Sequence, residues 1–457
     1  MRGRKRENED REQDREDEGR EADQDQPVRR VAAEQLGNRA RSHDQQQEGE
    51  DSGFDGQRPE RDLLVGENAR DADHSAVEDR VSEKGAGNGG RAGAGNWGWA
   101  GHDGCVTRLR RRKKGFPFAP VAAISAPVTG TRLDVLAIGD AIVDVIAHVD
   151  EGFLVEEALV KGSMQVLDAE GAKRLYSKMP QAKETSGGSA ANTMAGVAAL
   201  GGRAGFVGQI AEDQLGDIFA HDIRALGVEF RTPPLKGGLP TGRCLIVVTP
   251  DAQRTMNTFR GAAHELKVEA LDPEQIRGSA ILYLEAYLWR SKGPRAAMEE
   301  AMRIAHESGR KVAFTLSDIA CIAPHRAEMM AMIGGGAIDL LFANENEIRE
   351  LADLPDRDSA IDAIRDKVPL IVVTCGEEGA VAVEGGRRVE VPIARIGRGV
   401  VDTTGAGDLF AAGFLVGQAQ GLSLEQSLRI GSVAAAEVIS HIGARPEAGL
   451  RELVEKL

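Results

Sequence analysis

The chain has 457 residues, enough for one large α/β domain or two ordinary ones, and hydrophobic residues make up 41% of it. Its net charge of −15 argues against a dedicated binder of nucleic acid or of anionic membranes. The longest apolar stretch, residues 133–149, is interrupted by Asp134, Asp140 and Asp144 and therefore does not predict a membrane span.

The first part of the chain differs in composition from the rest. Mixed charges, few aromatic side chains and many glycines predict that residues 1–130 are a disordered, low-complexity extension. Its basic run, Arg108 to Lys114, could contact an acidic partner, but most such runs are solvated linkers. A second hypothesis is an over-extended gene start. Because Met164 is the first methionine after Met1, a start just before the folded part would then need a non-ATG codon.

The four cysteines are Cys105, Cys244, Cys321 and Cys375, and they show neither a CxxC pair nor a zinc-like spacing. Three of them lie in apolar surroundings, where a free cysteine packs as a small hydrophobic side chain. This usage favours a reducing compartment, so we expect the protein to be cytoplasmic.

From residue 131 to residue 457 the sequence has the patterning of a folded domain. Apolar runs predict strands at residues 133–138, 204–210, 244–248, 254–259, 281–284, 311–316, 340–343 and 370–374. Small-residue and amphipathic runs predict helices at residues 190–200, 214–226, 294–308, 359–367 and 409–420. Because strands and helices alternate, we predict a mostly parallel sheet covered on both faces. Residues 249–253 predict a hairpin loop, and this antiparallel appendage is a candidate lid.

The strongest motif is residues 402–408 (DTTGAGD), which precede an apolar helix. A Gly-x-Gly turn at a helix start presents backbone N–H groups at the positive end of the helix dipole, where a phosphate can bind. Asp408 falls in the first turn of that helix. A carboxylate beside an anion site suits a general base that takes the proton of an attacking hydroxyl, and we favour this role over simple helix capping.

A second motif, residues 186–192 (SGGSAAN), leads into a helix of small residues. Its glycines, Gly187 and Gly188, allow the backbone to approach a substrate closely. Asn192 offers both a hydrogen-bond donor and an acceptor. The pattern alone also occurs in many ordinary turns.

Two further motifs follow predicted strands, at the edge where α/β enzymes bind ligands. Asn344 and Glu347 lie three residues apart and could steer phosphate and the water ligands of Mg²⁺. The alternative is an ordinary helix start with acidic residues in its first turn. Residues 374–379 (TCGEEG) suit a tight turn beside a nucleotide pocket.

In this order the motifs resemble the ribokinase-like (PfkB) carbohydrate kinase family over about residues 133–457. Residues 402–408 match the C-terminal signature of that family, and residues 187–208 match its N-terminal signature. The resemblance implies a three-layer α/β sandwich with a central, mostly parallel sheet and a small β lid, at about residues 145–165 and 230–260.

Within that family the chain is similar to the adenosine kinase branch. Residues 139–144 (GDAIVD) match its opening strand, whose final aspartate, here Asp144, binds sugar hydroxyls; Asp140 stands where the family usually has Asn. Residues 314–317 (FTLS) resemble its Phe-Thr-Leu-Asn strand. Residues 318–322 lack the aromatic side chain that the family often places near the base, which leaves the acceptor open.

The resemblance implies transfer of the γ-phosphate of ATP to a hydroxyl of a nucleoside or sugar, most simply adenosine, with Mg²⁺ as cofactor and any response to K⁺ left open. The acceptor would be bound by Asp144, Gly187, Gly188 and Asn192. The catalytic residues would be Asp408 as base and Gly405, Ala406 and Gly407 as the anion-binding turn. ATP would be bound by Asn344, Thr374, Gly376, Gly379 and Thr404, and the metal by Glu347. The protein would act as a monomer or a homodimer.

Three alternatives stay open. The first is a fructose- or ribose-type sugar kinase. The second is a non-catalytic sugar- or nucleoside-binding protein on the same fold, against which the intact Asp408 argues. The third is a binding protein that contacts a partner through its charged extension, although the acidic balance disfavours nucleic acid. On the hairpin, Arg254 could reach substrate or phosphate, but we expect a solvated residue of an edge strand.

Overall fold

The computed structural model describes residues 132–397 and 399–456, so the predictions for residues 1–130 and Cys105 lie outside the described residues. In chain order the strands are β1 (Leu133–Ile138), β2 (Ile142–His148), β3 (Met164–Val166), β4 (Ala182–Gly187), β5 (Ala204–Val207), β6 (Glu229–Phe230), β7 (Gly242–Val248), β8 (Arg254–Phe259), β9 (Ser279–Glu285), β10 (Lys311–Thr315), β11 (Leu340–Asn344), β12 (Leu370–Thr374), β13 (Ala380–Glu384) and β14 (Arg387–Val391). The helices are α1 (Glu151–Glu156), α2 (Ala169–Lys178), α3 (Ser189–Ala199), α4 (Gln214–Ala225), α5 (Pro273–Arg277), α6 (Lys292–Glu307), α7 (Ile319–Ile322), α8 (Arg326–Gly334), α9 (Glu345–Ala352), α10 (Arg357–Ile364), α11 (Ala406–Ala419), α12 (Leu424–Val438) and α13 (Leu450–Val454).

A nine-stranded sheet forms the centre of the domain, in the order β14-β13-β12-β11-β10-β9-β1-β5-β6. From β12 to β6 the neighbouring strands are parallel, whereas β13 and β14 form an antiparallel hairpin at one edge. Every residue of β1 is buried, as expected for a strand covered on both faces. The prediction of a mostly parallel sheet is confirmed, and the hairpin is an addition that the sequence patterning did not indicate.

Helices cover both faces of this sheet, because its side chains alternate between two apolar clusters. Val135 and Ala137 of β1 pack in one cluster with α3, α4, α11 and α12. Leu136 and Ile138 pack in the other with α6, α8, α9 and α10. The described residues therefore form a helix–sheet–helix sandwich, and none of their helices is long and apolar enough to cross a membrane.

A second sheet has five strands in the order β3-β8-β7-β2-β4. Burial alternates residue by residue along β2 and β8, as in a sheet with one open face. The predicted lid ranges include β3, β7, β8 and most of β2, but not β4. Residues 182–187 (AKETSG) contain no apolar run, and they join the sheet through backbone pairing with β2.

Helix α11 is held close to α12 by small residues. A Cβ atom at Gly413 would lie 2.6 Å from the backbone nitrogen of Gly431, and one at Gly417 would lie 2.5 Å from the Ser427 hydroxyl. Side chains at these positions would force the helices apart. The contact fixes the direction in which the N-terminus of α11 points, and with it Asp408.

Candidate active site

A cavity of about 580 Å³ lies between the two sheets, where β10, β11 and β12 end and α11 begins. Its volume falls in the range of small-molecule sites. The predicted site residues that line it are Asp144, Gly188, Asn192, Asn344, Glu347, Thr374, Thr404, Gly405, Ala406, Gly407 and Asp408. The predicted residues outside this lining are Gly187, Gly376 and Gly379.

The turn before α11 presents its backbone to the cavity. Gly405 has a left-handed φ of 79°, and a Cβ atom there would lie 2.8 Å from Ala444, so the position requires glycine on both counts. A Cβ atom at Gly407 would meet nothing within 4 Å, which leaves room for a ligand. The Ala406 N–H donates to the Thr403 carbonyl at 3.2 Å. The Gly407 N–H is therefore the better placed donor to a phosphate at this helix start.

The Asp408 carboxylate contacts the second motif directly. Its two oxygens accept hydrogen bonds from the Ser189 hydroxyl at 2.6 Å and the Asn192 side-chain amide at 3.0 Å. Burial raises the pKa of Asp408 above its usual value, and these two bonds together with the charge of Arg445 oppose the rise. The Oδ1 atom of Asn192 is buried without a hydrogen-bond partner among the described residues, so it is free to accept from a bound hydroxyl.

Asp144 lies on β2 at the wall of the same cavity. A Cβ atom at Gly187 would lie 2.4 to 2.5 Å from the Asp144 carboxylate, so this glycine makes room for the acid. Contact of Gly187 with the acceptor stays a prediction. Gly188 has a left-handed φ of 94°, and a Cβ there would lie 2.2 Å from the Asp140 carbonyl. Burial raises the pKa of Asp144 to about 6, although Arg445 and Arg254 favour its charged form.

Arg254 joins the lid sheet to the turn before α11. Its guanidinium lies 2.8 Å from the Asp402 carboxylate and donates to the Thr404 hydroxyl at 3.4 Å. The side chain is only 10% exposed, so the expectation of a solvated edge residue is wrong. The reason is tertiary, since the start of β8 faces the turn that carries Asp402.

On the nucleotide side, Asn344 and Glu347 form a capping box at the start of α9. The Glu347 carboxylate accepts from the Asn344 backbone N–H at 2.9 Å and from its side-chain amide at 2.7 Å. Burial raises the pKa of Glu347 to about 7. The polar atoms of this pair are thus engaged with each other, which is the helix-start alternative considered from sequence.

The second nucleotide motif contributes one residue to the cavity. Thr374, the last residue of β12, lines it. Gly379 has a φ of 104°, and a Cβ there would lie 2.0 Å from the Val391 carbonyl, so it shapes the strand connection. A Cβ at Gly376 would meet nothing within 4 Å. Contact of either glycine with ATP stays a prediction.

The acceptor end of the cavity has an apolar wall on the lid sheet. Ile142, Ile246 and Met256 contribute to it, and Tyr287, just after β9, also lines the cavity. The Tyr287 hydroxyl donates to the Ser317 carbonyl at 3.3 Å, which fixes the ring. An aromatic side chain is therefore present near the acceptor end, on a different segment from the one where the sequence showed none.

A family model described as "pfkB family carbohydrate kinase" matches residues 133–448, which is well over half of the chain. The chain belongs to the pfkB family of carbohydrate kinases. The predicted resemblance and the prediction of a phosphotransferase with an alcohol acceptor are thereby confirmed.

Solved structures of similar sequence support the family assignment. A probable sugar kinase from Rhizobium etli is 45% identical, with a TM-score of 0.67 over 71% of this chain and 98% of that one. An adenosine kinase from Sinorhizobium meliloti is 47% identical, with a TM-score of 0.66 over 71% of this chain and 99% of that one. The described domain accordingly has the ribokinase-like α/β fold that the sequence predicted.

Curated relatives of this pfkB-family chain include kinases with different acceptors. The adenosine kinase of Saccharomyces cerevisiae is 25% identical over 67% of this chain and 95% of its own length. A probable fructokinase of Arabidopsis thaliana is 26% identical over 52% of this chain and 70% of its own length. Family membership therefore establishes a sugar or nucleoside kinase without fixing the acceptor.

The carboxylates of the cavity suit a metal that is bound mainly by nucleotide and water. Among residues 132–397 and 399–456 no group of three acidic, His or Cys side chains is arranged to hold an ion. Mg²⁺ in kinases commonly takes one or two carboxylates plus phosphate oxygens, so this arrangement is compatible with it. The Glu347 carboxylate accepts two hydrogen bonds from Asn344, and its contact with the metal stays a prediction.

Sequence reasoning missed Glu285 at the end of β9. Its carboxylate is fully buried and accepts the backbone N–H groups of Asp140 at 2.6 Å and Ala190 at 2.7 Å. Burial and the nearby Asp140 raise its pKa well above the usual value. Glu285 joins the end of β1 to the start of α3, so it positions both acceptor motifs. An acidic residue directly after the apolar run 281–284 was the available signal.

Proposed function

We propose that this chain is an ATP-dependent nucleoside kinase, and that adenosine to AMP is the reaction to test first. The observation that carries the proposal is the contact of the Asp408 carboxylate with Ser189 and Asn192. Both donors lie in the first turn of α3, just after Gly187, which packs against Asp144. The proposal is supported further by the glycine turn at the start of α11, which opens on the same cavity.

In the proposed reaction the acceptor hydroxyl is held by Asp144 and by the Oδ1 atom of Asn192. Asp408 takes the hydroxyl proton while the oxygen attacks the γ-phosphorus of ATP and the bond to ADP breaks. The N–H of Gly407 and the positive end of α11 stabilise the charge that develops on the transferred group. Mg²⁺ bound with the nucleotide would neutralise further phosphate charge. Ser189 and Asn192 favour the ionised form of Asp408, which is the form that can act as a base.

A nucleoside suits the acceptor end better than a bare sugar does. Ile246 and Met256 of the lid sheet line the same cavity as Tyr287, and a flat base could cover these apolar surfaces. A small sugar would leave this apolar surface uncovered. The three buried free cysteines are compatible with a cytoplasmic kinase.

A fructose- or ribose-type sugar kinase is the second candidate. Arg290 and Asp318 also line the cavity, and these groups could bind additional hydroxyls of a sugar. The similarity to a probable fructokinase favours the same alternative.

The test is ADP formation by the full chain with ATP and adenosine, guanosine, inosine, fructose or ribose. We expect kcat/KM to be highest for a nucleoside. Asp408→Asn should lower turnover about 10²–10⁴-fold and leave ATP affinity nearly unchanged, because only the base is lost. Asp217→Asn, in the exposed first turn of α4, is the matched control and should keep full activity. If a nucleoside binds in calorimetry but no acceptor is phosphorylated, the protein is a binding protein and the proposal is wrong.

A further inference from the structure

Arg445 lies behind the acceptor motif, although it is far from it in sequence. After α12 the chain returns to the cavity, and the Arg445 guanidinium donates three hydrogen bonds. They go to the Ala191 carbonyl at 2.7 Å, the Ser186 carbonyl at 2.8 Å and the Ser186 hydroxyl at 3.0 Å. Burial lowers the pKa of Arg445 to about 10, so the side chain stays positively charged at neutral pH.

These bonds enclose the Gly187–Ser189 turn from both sides. Ser186 directly precedes the turn, and Ala191 follows it in the first turn of α3. The Ser186 hydroxyl also donates to the Asp222 carboxylate at 2.6 Å, and its backbone N–H donates to the same oxygen at 2.8 Å. The turn is therefore held by a planar guanidinium whose geometry a single ammonium group cannot reproduce.

The two residues before Arg445 contact the phosphate turn. The Gly443 N–H donates to Asp402 at 2.9 Å, and Ala444 packs against Gly405, where a Cβ would lie 2.8 Å away. Residues 443–445 thus touch both the turn before α11 and the turn before α3. Three consecutive residues connect the two halves of the site.

The charge of Arg445 faces the acidic residues of the site. Asp144 on β2, Asp222 on α4 and Asp408 on α11 all interact with it electrostatically. Asp144 also faces Arg254 on β8 and the Cys244 thiol on β7. Removing Arg445 would leave Arg254 as the remaining cation acting on Asp144 among these groups.

We propose that Arg445 is a positioning residue of the kinase reaction: it holds the acceptor-binding turn in register with the phosphate turn and supplies the positive charge that Asp144 and Asp408 share. This inference rests on the proposed function for its kinetic consequences. The geometry of the turn can be tested without any activity.

The test compares Arg445→Met and Arg445→Lys with Arg451→Met. Arg451 pairs with Glu455 at 3.2 Å and is 56% exposed, so it controls for loss of an arginine near the C-terminus. In Arg445→Met we expect kcat/KM for the acceptor to fall about 100-fold, because a displaced reacting group costs about that much. ATP affinity should stay within about twofold. On the acid side of the pH profile (the acid limb), the pH at which kcat/KM is half-maximal should rise by about one unit, because the loss of a cation beside Asp144 raises the pKa of that carboxylate.

In Arg445→Lys the acid side of the pH profile should return to near its wild-type position, because lysine restores the positive charge. The acceptor KM should stay raised, because lysine cannot make the forked hydrogen bonds of arginine. Amide hydrogen exchange in the peptide covering residues 185–192 should accelerate in both Arg445 variants and not in Arg451→Met. If Arg445→Met does not fold, the Lys variant and the exchange measurement decide the matter.

An unmoved acid limb together with unchanged exchange in residues 185–192 would overturn the inference, even if the variant were less stable. Failure of the proposed function looks different. In that case the wild-type protein phosphorylates no acceptor, while exchange in this peptide still responds to Arg445.

Discussion

At the scale of single residues, the cavity holds two half-buried carboxylates with different surroundings, Asp144 and Asp408. Asp408 accepts two side-chain hydrogen bonds that favour its charged form. Asp144 is half-buried at the wall of the cavity, and Arg445 and Arg254 favour its charged form. Their different environments suit the proposed roles of a base for Asp408 and an acceptor-binding acid for Asp144.

The pH dependence of acceptor binding should report Asp144. Its pKa of about 6 lies above the usual 3.8. At a pH between these two values the folded protein keeps the Asp144 proton, whereas the unfolded chain has released it. This group therefore lowers the free energy of unfolding as pH rises from about 4 to about 6. Hydrogen bonds from hydroxyls to an ionised carboxylate are stronger than those to a protonated one, so acceptor affinity should increase as pH rises through about 6.

Calorimetric titration of the acceptor from pH 5 to pH 8 measures this limb. Glu347→Gln is the control, because Glu347 has a pKa raised to about 7 and could otherwise be the titrating group. The limb should persist in that variant. Acceptor affinity that stays flat from pH 5 to pH 7 would contradict the assignment to Asp144.

Gly187→Ala should damage acceptor binding without touching the ligand. The added methyl group would lie 2.4 Å from the Asp144 carboxylate and displace it. We expect the acceptor KM to rise at least about tenfold while ATP affinity is kept, since misplacement by about 1 Å costs up to 10²-fold. Gly334→Ala is the matched control, because a Cβ there meets nothing within 4 Å. Equal acceptor KM values in the two variants would refute the steric explanation.

At the scale of elements, the lid sheet is attached to the phosphate turn by one buried ion pair. Arg254 at the start of β8 contacts both Asp402 and Thr404, so these contacts connect the lid sheet to the turn before α11. The sequence located this hairpin correctly from two strand-like runs on either side of the turn at residues 249–253. It did not predict the partner of Arg254, because the contact spans elements that are distant in sequence.

Breaking the Arg254–Asp402 ion pair tests whether the attachment of the lid sheet affects catalysis. Arg254→Met leaves Asp402 with an unbalanced buried charge, so kcat/KM for the acceptor should fall. In a double-mutant cycle with Asp402→Asn, the two losses should be non-additive by about 0.5–3 kcal/mol. Arg388→Met, which removes a more exposed ion pair with Asp358, is the control and should leave kcat/KM unchanged. Additive losses would show that the two residues act independently.

At the scale of the whole molecule, the large sheet could be predicted because its strands are continuous apolar runs. The boundaries predicted for β1, β8 and β12 match those observed. The small sheet was harder, since β4 has a polar sequence and joins the sheet only by backbone pairing. The resemblance to the pfkB family predicted that the sequence motifs line one common cavity.

The supporting residues of the site could not be predicted in the same way. Glu285 and Arg445 act through backbone groups of segments far away in the chain, and no local pattern marks such contacts. Their roles emerge only when β9 and the return from α12 are packed against the turn before α3. Long-range tertiary contacts, rather than propensity, decide these positions.

Asp144 comes from near the start of the folded domain, whereas Asp408 and residues 443–445 come from near its end. While the chain is being synthesised, the first acid is made long before the residues that complete its surroundings. A nascent polypeptide still on the ribosome therefore lacks the machinery to consume nucleotide, and a fragment ending before α12 should be inert whichever signature it retains. Chain order alone delays completion of the site until residues 443–445 have been made.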